Sequence, residues 1–139
     1  MSTGSGTFAD WDFNIAGAVG PTGPEGRGAG LRLAWSTGTS GDPGSGNVGV
    51  NNASLASATQ IRLSETDALG NAIAALLATW DDSTSTTARG VITLRKYGSA
   101  AFAQFLVTSA ITDSGTYDSF TVTYITHSGA FSAADELSV

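Results

Sequence analysis

His127 is the single histidine of the chain, and the abundant serines make a Ser-His-Asp hydrolase the first enzyme class to weigh. It sits in Thr126-His127-Ser128-Gly129 at the end of a β-like run, and no Gly-x-Ser-x-Gly elbow occurs, so a surface histidine is the better reading. Asp81-Asp82 could act as paired carboxylates in glycoside cleavage or as oxygen ligands for calcium. Glycosidase carboxylates must face each other across a substrate, whereas neighbours at a helix end diverge, and no spaced Asp-x-Asp-x-Asp-Gly loop is present. A solvated turn is expected there. Residues 38–49 are glycine-rich like a phosphate cradle, but no lysine follows and no Gly-x-Gly-x-x-Gly spacing appears, so they read as loop. The expectation is a non-enzyme with no catalytic residue, no metal and no cofactor.

Aromatic residues offer a second chemistry, stacking on sugar rings. Trp35 and Trp80 fall on apolar faces and are expected in the core, while Tyr97, Tyr117 and Tyr124 stay open to either role. Contacts with a ligand or partner are better sought on residues 36–47 and 81–89, with Thr39, Asp42, Ser45, Asp82 and Thr84 as the side chains a β scaffold would hold outward.

The elements that would position these residues are mostly strands. Leu31, Leu33 and Trp35 alternate with Arg32 and Ala34, a period of two with one buried face. Residues 36–47 are nearly all Gly, Ser, Thr, Asp and Pro, which makes a long loop with little to bury. Val48 with Val50 and residues 59–63 make two further short strands. A helix is expected over residues 70–80, where Ile73, Leu76, Leu77 and Trp80 recur at helical spacing after an Asn71 N-cap. The last third reads as an antiparallel meander: residues 91–97, 102–111 and 117–126, with a turn at Asp113-Ser114-Gly115 and a short edge strand at 136–139. The architecture that follows is mainly β, an antiparallel jelly-roll-like β-sandwich with one short helix.

Ahead of this domain, Gly17, Gly20, Gly23 and Gly26 place glycine at every third position, and two of the triplets open Gly-Pro. That is the spacing three polyproline-like chains need where only glycine fits the axis, so these four glycines are the expected trimer stalk. The period stops at Ala29. Residues 17–29 therefore read as a short collagen-like collar, residues 1–16 as a separate N-terminal segment and residues 30–139 as the head. Phe8, Trp11 and Phe13 cannot form a core alone and are expected to dock on a partner or on sister chains.

Composition narrows the partners. A net charge of -6 with only six Lys and Arg leaves no phosphate-neutralising surface, so nucleic acid is not expected. No cysteine is present, which removes thiolate catalysis, disulfides and Cys-based metal sites. Residues 1–8 lack the basic start and apolar run of a signal peptide, and the apolar stretch 73–78 is too short to span a bilayer, so membrane insertion is not expected.

The Gly-x-y run feeding a domain that contains Trp35-Ser36-Thr37-Gly38-Thr39, residues 51–59, Thr79-Trp80-Asp81-Asp82-Ser83-Thr84 and Val122-Thr123-Tyr124 resembles tailed-bacteriophage fibre and collagen-like virion proteins. The resemblance covers residues 17–139 and implies a homotrimer located on the virion after synthesis in the host cytoplasm. Its partners would be itself, phage capsid or tail proteins met by the N-terminus, and a host-surface glycan or protein. Four triplets reach only roughly 35 Å, so a compact spike is expected, with a capsid decoration or a carbohydrate-binding module as the alternatives.

Overall fold

The computed structural model describes residues 30–139. The expected trimer stalk at Gly17, Gly20, Gly23 and Gly26 and the expected docking aromatics Phe8, Trp11 and Phe13 lie outside the described residues. Alternation works as expected in most of the strands. β1 (Arg32–Trp35) buries Leu33 and Trp35, β2 (Asn47–Val50) buries Val48 and Val50, and β3 (Gln60–Ser64) buries Ile61 and Leu63. β4 (Gly90–Lys96) contributes Ile92 and Leu94, and β5 (Phe102–Val107) contributes Ala103, Phe105 and Val107. β6 (Thr112–Asp113) is a two-residue exposed strip beside β7 (Tyr117–Ser128), which adds Phe120 and Val122, and β8 (Glu136–Ser138) adds Leu137. These side chains form one continuous core.

The strands do not form a sandwich. The order β3-β2-β1-β8-β4-β5-β7 returns to its start through a β3–β7 ladder, giving a closed seven-stranded barrel with β6 outside the closure. β7 makes the closure possible because it serves two neighbours in succession: its first half pairs with β3 and its second half with β5. A register shift at Gln104/Phe105 leaves Ile125 as the extra residue of a bulge, the local device that increases twist and lets a sheet curl on itself. β8 is also not an edge strand, since it lies between β1 and β4.

One pair, β1–β2, is parallel, so residues 36–46 must return along the barrel wall before β2 begins. They are fixed there by Arg62, whose side chain points outward from β3 and is 1% exposed. Its guanidinium donates to the carbonyls of Gly41 at 2.7 Å, Val50 at 2.7 Å and Gly38 at 2.5 Å. This is where the loop finds the burial its composition lacks. Desolvation holds the Arg62 pKa below its ordinary value.

The helix is shorter than the periodicity predicts. α1 spans only Ala74–Leu77, with Ile73 rather than Asn71 at the N-cap. Asn71 is drawn instead into a turn: its backbone N–H donates to Asp67 Oδ1 at 2.9 Å, its side chain donates to Asp67 Oδ2 at 3.0 Å, and Thr66 bridges to Ala72. Ile73 and Leu77 still pack into the core and Trp80 stacks on Phe120 at 6.1 Å, while Leu76 faces solvent. No described helix is long and apolar enough to cross a membrane.

Candidate functional site

Strand directions give the barrel two different ends. Leu31 and Val139 exchange backbone hydrogen bonds of 2.8 Å in both directions, which places the start of the described chain at what we term the proximal end. β4 and β7 start there, and β3, β5 and β8 run down to it. At the opposite, distal end, β1, β2 and β7 terminate around a cleft of about 300 Å³. Trp35 and Phe131, with ring centroids 5.1 Å apart, supply its apolar wall, and Thr37, Asn52, Ser54 and His127 supply polar groups.

Local hydrogen bonds build the polar side. Asn51 Oδ1 accepts from the backbone N–H groups of Thr59 and Gln60 at 2.9 and 3.0 Å, closing the connection between β2 and β3 as a tight loop. Asn52 Oδ1 accepts from Ser54 N–H at 2.9 Å, so the Asn52 amide NH₂ stays available to a ligand. The Tyr124 hydroxyl lies 2.9 Å from His127 Nδ1 and fixes the ring. Gly129 turns the chain at φ +74°, and a Cβ there would lie 2.8 Å from that of Ala101, so the mouth tolerates only glycine at this position. An aromatic wall beside neutral donors and acceptors suits a neutral, hydroxyl-rich ligand. His127 is bonded to a tyrosine, not to a serine or aspartate.

The loops singled out from sequence separate in space. Thr39, Asp42 and Ser45 are exposed, but they sit on the segment that travels from the distal end back along the wall, and Asp42 ends near the base, accepting the Thr116 hydroxyl at 2.6 Å. That bond, with the Gly44 N–H at 2.7 Å, lowers the Asp42 pKa. Asp82 and Thr84 are also exposed, but precede β4 and therefore belong to the proximal end. Only the beginning of the 36–47 loop reaches the distal cleft. Asp81 is not simply solvated: its Oδ2 accepts the Ile111 N–H at 2.8 Å, and Arg89 Nη1 donates to the carbonyls of Asp81 and Ser83, each at 2.8 Å.

The proximal end carries a group that local sequence reading passes over. Oxygens of Glu65, Asp113 and Asp118 lie within 4.8 Å of one another, beneath the end of β3 and the turn before β7. Asp118 is 3% exposed, and burial, followed by the charges of Glu65 and Asp113, pushes its pKa up to about 6. The three residues are united only by the β3–β7 and β6–β7 pairings, and Glu65 lies far from the other two in sequence. Their proximity has no local signature.

Compared with known proteins, the chain matches no family model, no curated protein and no solved structure.

Proposed function

We propose that this protein is a non-enzymatic bacteriophage virion component, a short trimeric fibre or spike whose barrel presents its distal mouth to a host surface. The observation that carries the reading is the polarity of the barrel. The segment bearing the Gly-x-y repeat joins at the proximal end, and the aromatic and amide-lined cleft opens at the other. A display module needs this division, with attachment at one end and recognition at the other. The repeat at Gly17, Gly20, Gly23 and Gly26 couples the chains, and three copies of a weak cleft then act together through effective concentration. The distal cleft replaces the 36–47 and 81–89 loops as the contact surface with a glycan of the host.

Light scattering of the full chain tests the assembly, with a three-chain mass expected; a monomer at micromolar concentration would overturn it. A panel of bacterial surface glycans tests the cleft, with binding expected for the wild type and loss expected for Asn52→Ala. Binding that survives Asn52→Ala and Phe131→Ala together would remove the cleft from the reading. Labelling on intact particles separates a tail spike from a capsid decoration.

A further inference from the structure

A carboxylate in a protein interior is ordinarily met by N–H or O–H donors or by a cation. Asp118 has neither. It stands opposite Leu63 in the β3–β7 ladder and is 3% exposed, yet among the described residues no N–H, hydroxyl or cationic group reaches its side chain. The ion pairs of the described residues, Arg32 with Glu136 and Lys96 with Asp135, lie elsewhere, and the Arg62 guanidinium is committed to loop carbonyls on the outside of β3. What does meet the Asp118 side chain is two further carboxyls, Glu65 and Asp113. A buried carboxylate aimed at two others calls for a positive charge between them.

Three elements hold these groups in place. Asp113 of β6 is directly across from Asp118, and its Oδ1 accepts the Gly115 N–H at 2.7 Å. Glu65 follows the last rung of the β3–β7 ladder, and its backbone N–H donates to the Thr116 carbonyl at 3.0 Å. One oxygen from each side chain lies within 4.8 Å of the other two. Two oxygens bound to one Ca²⁺ at about 2.4 Å span at most roughly 4.8 Å, whereas the shorter bonds to Mg²⁺, about 2.1 Å, allow only roughly 4.2 Å. The three donors are all hard oxygens, with none of the imidazole or thiolate that suits zinc. A cavity of about 390 Å³ opens beside Glu65 between Thr66 and Thr116, with room for the waters that complete the roughly six to eight ligands of calcium.

We propose that Glu65, Asp113 and Asp118 form a calcium site at the proximal end of the barrel, with Asp118 as its inner ligand. The ion supplies the positive charge that the protein withholds from Asp118. It also ties β3 and β6 to β7 across the seam that closes the barrel. Three carboxylates with the remaining positions left to water make a weak site, with a dissociation constant of roughly 10⁻⁴ to 10⁻³ M. The site is complete within one chain and depends neither on the virion reading nor on the number of chains.

The full chain, stripped with EDTA and dialysed, is titrated with CaCl₂ and separately with MgCl₂ in thermal melts and isothermal titration calorimetry. CaCl₂ at about 5 mM is expected to raise the melting temperature by about 4 °C or more, with one ion bound per chain, and MgCl₂ to move it by about 1 °C or less. Asp113→Asn, at an exposed position, abolishes the calcium shift and the binding heat, and Asp118→Asn does the same. Asp82→Asn, which removes an exposed carboxylate from the same end, keeps both. Absence of a calcium effect in the wild type overturns the site. An equal shift with MgCl₂ overturns it too, as does a calcium shift that persists in Asp113→Asn and Asp118→Asn, because either result is general screening of an acidic end and not coordination.

Discussion

Gly49 lies across the β2–β3 ladder from Arg62, and a Cβ at Gly49 would come within 3.1 Å of the guanidinium Nη2 and of the Ser36 carbonyl oxygen. The missing side chain is the space through which Arg62 reaches the loop carbonyls. The pair explains how a segment made of glycine, serine and threonine is held in one path.

Arg62→Ala leaves the carbonyls of Gly38, Gly41 and Val50 without their donor beneath the loop. Stranding a buried acceptor costs about 1–3 kcal/mol, so the variant should lose roughly 3 kcal/mol or more in urea denaturation. Residues 36–46 should also become the first site of limited proteolysis. Arg62→Lys is not expected to rescue, because a single ammonium on a flexible stem does not reproduce the planar fork that reaches three carbonyls. Wild-type resistance to protease in Arg62→Ala would remove Arg62 as the clamp.

The contrast between Arg62 and the core shows what a linear pattern can carry. Leu33, Trp35, Ile61, Leu63, Ile92 and Leu94 are legible as buried because a strand with one covered face writes its alternation locally. In that same alternation Arg62 reads as the solvent face of β3; only the fold reveals that a loop lies over it. Closure is equally non-local: β7 looks like an ordinary third strand of a meander, and its second partnership with β3 joins residues about sixty positions apart. The helix fails for a local reason. Asp67 competes for the Asn71 amide and wins, since short polar side chains favour turns over helix starts. The distal cleft is half legible: Trp35 and Thr37 lie within or beside segments that sequence singles out, whereas Asn52 and Phe131 join them only when the ends of β2 and β7 meet.

The acidic triad should make stability depend on pH in an uncommon direction. Because the Asp118 pKa is raised to about 6 in the folded state, its ionisation is easier in the unfolded chain. The penalty is absent below the unfolded carboxylate range near pH 4, grows between about pH 4 and 6, and is complete above that, at roughly 3 kcal/mol. Asp42, Asp67 and Asp135 have lowered values and act oppositely, withdrawing stability as pH falls through the acid range. Melting temperature should therefore rise as pH falls from about 7 to about 5, and drop at lower pH. Asp118→Asn should stabilise the protein at pH 7.5 and flatten the upper part of the profile; an unchanged profile would remove Asp118 as its source.

Asp81 and Asp82 are adjacent yet should respond differently to mutation. Asp81→Ala removes the acceptor of the part-buried Ile111 N–H and should cost about 1–3 kcal/mol. Asp82 is exposed, and Asp82→Ala should stay within about 0.5 kcal/mol. Thermal melts of the two variants check this, and equal effects would mean that the Asp81–Ile111 contact contributes nothing.

At the distal mouth, recognition and stability can be separated because the polar groups of the cleft face solvent. Asn52 is exposed and its bond to Ser54 is confined to one turn, so Asn52→Ala should move the melting temperature by only a few degrees. Phe131 is half-buried against Trp35, so Phe131→Ala gives up core contact as well as the cleft wall and should cost more, about 1–3 kcal/mol. If the cleft is the recognition surface, both variants lose binding to the host glycan although their stabilities differ. If the cleft only closes the barrel, binding follows stability: Phe131→Ala binds poorly, and Asn52→Ala binds like the wild type. Measuring both variants well below their melting temperatures tells these outcomes apart, since a fold-based loss disappears there and a contact-based loss does not.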